Sequence, residues 1–81
     1  MNTLPYLEIT LNEWIDKNDP TAEQLTNHIK SLIITRQQAN KAHARGIKDK
    51  TTSDKAVEIL NTWIAQNNLE IIFLKKYLRS I

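Results

Sequence analysis

Cysteine is absent from the 81 residues. Disulfides, thiolate metal sites and cysteine nucleophiles go with it, and the lack suits a reducing cytosol. Glycine occurs once and proline twice, which leaves no glycine-rich phosphate loop and favours helix. No segment alternates apolar and polar residues as a half-buried strand would, so no sheet is expected. No apolar run approaches the roughly 18 residues of a membrane span. The opening MNTLPYLEIT also lacks the charged and apolar regions of a secretion signal. The expectation is a cytoplasmic chain with no membrane partner. His28 and His43 stand far apart with no H-x-x-x-H spacing, which argues against a metal. Ser31, Ser53 and Ser80 have no nucleophile motif around them. The acids are scattered. Neither enzyme chemistry nor a cofactor is expected.

What remains is helix and its punctuation. A chain of this length forms one domain, residues 1–81, with a modest core that gains from a partner or from self-association. The fold class predicted is all-α: a short N-terminal helix plus a long antiparallel helical hairpin. Helix one is expected over about 4–17, capped by Thr3 with Pro5 in its first turn, and stopped by KNDP. Helix two is expected over about 20–45. Asp19 or a Thr21–Gln24 capping box starts it, and Gly46 suits a left-handed position after it. Helix three is expected over about 53–80, roughly 40 Å long at about 1.5 Å per residue. RGIKDKTT is the connecting loop.

Single-face spacing predicts a core of Leu25, Ile29, Leu32, Leu60, Trp63, Ile64, Ile71 and Leu74. Past Ile33 the same face of helix two turns polar, with Arg36, Asn40 and His43, so it needs water or a polar partner. Asn67 sits within the main stripe of helix three, where an amide can fix register. The phrase LNEWIDKN at 11–18 returns as LNTWIAQN at 60–67. A proline break follows the first copy and helix continues past the second. Two copies also fall short of a self-supporting repeat array. The phrase reads as convergence of two amphipathic helices on one core, with Trp14 and Trp63 closing one end against each other.

Two surfaces stand out. In the tail NNLEIIFLKKYLRSI, Phe73 and Tyr77 fall on one flank of the stripe, and Leu69 and Ile72 on the other. A helix apolar over most of its circumference is usually enclosed on several sides. Leu69, Ile72, Phe73, Tyr77 and Ile81 are therefore the candidate protein-binding residues, for a protein partner or a homo-oligomer. The second surface is basic. Residues 30–50 carry six cations against Asp49 alone. Lys30, Lys41 and Arg45 share one side of helix two, and Lys48 and Lys50 extend the patch into the loop. Phosphates could bind there, but no helix-turn-helix or base-reading aromatic accompanies it, so nucleic acid is not the favoured partner.

MNTLPYLEITL, LIITRQQANKAHARG and IAQNNLEIIFLKKYL together resemble a family of small type III secretion proteins, the YscE/SsaE-type co-chaperones of needle-subunit export. Those are helical hairpins whose last helix is rich in isoleucine and aromatics. The resemblance spans nearly the whole chain and rests on no diagnostic motif. It implies a cytoplasmic, non-catalytic bacterial protein that pairs with a helical-repeat chaperone and helps keep the needle subunit soluble. A well-formed first helix with Trp14 and Ile15 departs from that pattern. The alternative reading is a phage- or plasmid-borne dimeric regulator or inhibitor acting by protein or DNA contact. A toxin-neutralising immunity protein is a third.

Overall fold

The computed structural model describes residues 3–81. It consists of three helices, α1 (Leu4–Asn18), α2 (Ala22–Lys48) and α3 (Asp54–Arg79), with no strand among the described residues. The protein is all-α.

Local chemistry sets most helix ends. Pro5 lies in the first turn of α1, where its missing N–H has no intrahelical partner. Asp19 then breaks α1 by turning left-handed, at φ 43°, while its N–H bonds the Ile15 carbonyl at 2.9 Å. Aspartate tolerates that conformation better than most residues. Between the two start signals for α2, the capping box is the one realised. The Gln24 N–H donates to the Thr21 hydroxyl at 3.1 Å, and the Thr21 N–H donates to the Gln24 side chain at 3.0 Å.

Two expectations about helix ends fail. Thr3 occupies the N-cap position of α1 but makes no side-chain cap; its hydroxyl donates to Glu70 on α3 instead. Gly46 is not a left-handed terminator. It lies inside α2, which runs on to Lys48, and its φ is not positive. The carbonyl it leaves at the helix end is satisfied by the Thr52 hydroxyl, donating at 2.7 Å. The helices pass close there: a Cβ at position 46 would stand 3.1 Å from the end of the Leu60 side chain of α3, which would have to shift slightly. The connecting loop is therefore only 49–53. It is tied by Asp49, whose carboxylate accepts from the Thr51 N–H and hydroxyl.

Helices α2 and α3 form an antiparallel hairpin. Gly46 meets Leu60, His43 meets Trp63, Asn40 meets Asn67, and Arg36 meets Glu70, so numbers climb on α3 as they fall toward the start of α2. α1 lies along one side of this hairpin. Its Thr3 end touches Gln66 and Glu70, and its Trp14 end stacks on His28. The result measures 47 × 21 × 20 Å. α1 covers only the half of the hairpin made by the first part of α2 and the last part of α3.

The core follows that coverage. Leu7, Leu11, Ile29, Ile33, Ile71 and Leu74 are buried, with Ile15, Leu25, Leu32, Phe73, Tyr77 and Leu78 packed around them. Of the expected core, Leu25, Leu32, Leu60 and Ile64 are half-buried. Trp63 is not core: it is 52% exposed, because it sits beyond the reach of α1. The two tryptophans do not meet. Trp14 stacks flat on His28 at 3.8 Å, and Trp63 lies tilted against His43 at 5.3 Å.

Candidate protein-contact surface

The contact surface is defined first by what the interior has already consumed. The polar half of α2 finds its partners on α3 rather than in water. Arg36 Nε donates to Glu70 Oε1 at 2.9 Å, and its Nη1 donates to the Leu32 carbonyl. Asn67 donates to Asn40, and Asn40 donates to Asn68, at 3.0 and 2.9 Å. Asn67 thus joins an amide ladder that fixes the hairpin's register.

Glu70 is the centre of this arrangement and is buried. It accepts from Thr3 on α1 at 2.6 Å, from Arg36 on α2, and from Gln66 one turn earlier at 3.2 Å. Gln66 also donates to the Thr3 hydroxyl. Burial pushes the Glu70 carboxyl up. The bonds from Thr3, Arg36 and Gln66, with the Arg36 charge, outweigh that and hold it below the ordinary value of 4.5. With donors from Thr3 on α1 and Arg36 on α2, this buried carboxylate of α3 ties the three helices together. Sequence inspection did not single it out. The available signal was Arg36, a cation on an otherwise core-facing side of α2 that required an anion opposite.

The outer face of α3 has no such internal use. Leu69, Ile72, Phe73 and Lys76 follow the i, i+3, i+4, i+7 spacing of a single helix face. Leu69 is exposed and Ile72 is 63% exposed. Ile81, just past the helix end, is exposed as well. Phe73 and Tyr77 differ from these three. Their rings sit 6.3 Å apart, half-buried against the core, and with Lys76 and Ser80 they line a shallow groove. Leu69 and Ile72 do not stand on the far flank from the aromatics, as expected from the sequence: they continue outward from Phe73 and Tyr77 as the exposed edge of a strip whose half-buried floor is aromatic, while Ile81 is exposed separately past the helix end. The distal part of the hairpin adds Ile59 and Trp63, both exposed.

The basic residues Lys30, Lys41, Arg45, Lys48 and Lys50 are all exposed. They spread along the length of α2 and its loop. Burial behind Trp14 pushes His28 below its ordinary value of 6.5. No group of three His, Asp or Glu side chains suited to a metal occurs among the described residues. No described helix is long and apolar enough to cross a membrane. No family model matches the chain, and neither does any curated protein or solved structure.

Proposed function

We propose that this chain is a small, non-catalytic helical protein that works by binding another protein through the outer strip of α3. The observation that carries the reading is the exposure of Leu69 and Ile72 beside a core that is already complete without them. Apolar residues clustered on one helix face of so small a protein point to a surface that is covered in use. Half-buried aromatics beside them supply the kind of anchor that dominates binding energy at interfaces. Within this reading, the resemblance to the YscE/SsaE-type co-chaperones supplies the specific form: a cytoplasmic bacterial co-chaperone in type III secretion needle-subunit export. The hairpin and the isoleucine-rich closing helix support that form. The well-packed α1, which buries Leu7 and Leu11, departs from it.

Site-specific photo-crosslinking in cells that produce the chain tests the reading. A photoreactive side chain replacing Ile72 is expected to give an adduct to a protein other than a second copy of this chain, and one replacing Lys48 is expected to give none. Adducts to nucleic acid from position 48, with none from position 72, would replace this reading with the regulator.

A further inference from the structure

Two faces of the molecule remain apolar and carry opposite charge. The first is the outer side of α1. Tyr6 is 75% exposed and Ile9 is exposed. At about 100° per residue, Ile9, Glu13 and Asp16 gather opposite the buried Leu11. From Leu4 to Asp19 the chain carries Glu8, Glu13, Asp16 and Asp19 against Lys17 alone.

The second is the side of the hairpin turned away from α1. A groove between α2 and α3 there is lined by Gln37, Asn40, Lys41, Asn68, Ile71 and Lys75. Ile34 and Ile72, both exposed, stand at the same level on the two helices. Lys30, Lys41 and Lys75 surround them, all exposed. No acid occurs in residues 24–48 or 71–81. Glu70 offers this face no neutralisation, because its carboxylate is turned to Arg36 and Thr3 on the α1 side.

We propose that these faces belong together, the outer side of α1 in one copy seating on the Ile34–Ile72 face of a second copy. Charge complementarity selects the occupant: a lysine-flanked apolar face takes an acidic amphipathic helix, and α1 is one whose outer side is open. The two faces lie on opposite sides of a body about 20 Å thick. One contact therefore leaves a competent face on each copy, and the association is head to tail and repeating rather than a closed two-fold dimer. A contact one helix wide belongs to the small class of interfaces, so it is weak. This face meets the outer strip of α3 at Ile72. The variants below leave Leu69, Ile72 and Phe73 intact, so their outcome is independent of the function proposed above.

Sedimentation velocity over a range of protein concentrations tests the proposal. The comparison is between about 0.01 M and about 1 M salt, where charges are screened over about 30 and about 3 Å. The wild type is expected to grow in mass with concentration at low salt and to be monomeric at high salt. Glu13→Lys with Asp16→Lys removes one face, and Lys30→Glu with Lys75→Glu removes the other. Each double variant alone is expected to stay monomeric, and their mixture is expected to associate at low salt, because each variant keeps the face that the other has lost. Thermal melts check that both remain folded; if a reversal unfolds, Glu13→Gln with Asp16→Asn is expected to show the same loss. A wild type monomeric throughout at low salt would overturn the proposal. So would association that ignores salt, or that Trp63→Ser abolishes, which would place the contact on the distal hairpin. A monomer that instead binds short duplex DNA through Lys30 and Lys75 would assign the face to nucleic acid and equally overturn it.

Discussion

A carboxylate with three donors behaves differently from a solvated one, and Glu70 makes the difference measurable. Its proton affinity is lower folded than unfolded, so the unfolded chain takes up that proton first as the pH falls. The stability it contributes is complete above the ordinary carboxyl range and is lost as the pH drops below 4.5. Glu70→Gln is expected to flatten the loss of melting temperature between about pH 5 and about pH 3. At neutral pH, Arg36→Ala should cost about 1–3 kcal/mol by leaving that acceptor short of a partner, as measured by denaturant unfolding. Position 46 gives a second residue-level test. Were Gly46 a left-handed cap, alanine would be strained there. Inside a helix, alanine gains up to about 1 kcal/mol of propensity, opposed only by the flexible end of Leu60. Gly46→Ala is expected to stabilise by about 0.5 kcal/mol in the same assay. Trp63→Ala should cost under about 1 kcal/mol as a surface change, whereas Leu74→Ala, fully buried, should cost about 2–5 kcal/mol.

At the scale of elements, three helices and most of their ends were legible because local chemistry sets them. Thr21 and Gln24 cap α2, Asp19 and Pro20 stop α1, and the polar turn of α2 after Ile33 announced the polar seam. What stayed hidden depends on where helices sit relative to each other. Spacing places Trp63 within the α3 stripe, and whether that level of the stripe is covered depends on how far α1 reaches. Gly46 reads identically as a terminator and as a close approach until Leu60 is seen beside it. Phe73 and Tyr77 looked like free flanks, yet they pack on the core because α1 comes close to that side. The outer strip of α3 was legible as a surplus of apolar residues, and its division into floor and free edge was not. Partial coverage by α1 has a dynamic consequence. Amide exchange should be slowest in α2 near Ile29 and Ile33 and in α3 near Ile71 and Leu74. It should be distinctly faster in the bare part of the hairpin around His43 and Trp63, where fewer apolar contacts oppose local opening. Uniform protection along α2 would mean that the distal hairpin is covered after all.

For the whole molecule, the division of labour is the central claim: the interior closes without Leu69 and Ile72, and the surface they form is for another protein. Truncating Phe73 and Tyr77 would confound the two roles, since both touch the core. The direct measurement is the Leu69→Ser, Ile72→Ser double variant, compared with the wild type in a thermal melt and in recovery of the protein cross-linked to the α3 strip. The account predicts a melt within about 0.5 kcal/mol of wild type, as for other surface changes, together with loss of that partner. A variant that unfolds, or one that stays folded and retains the partner fully, would contradict it.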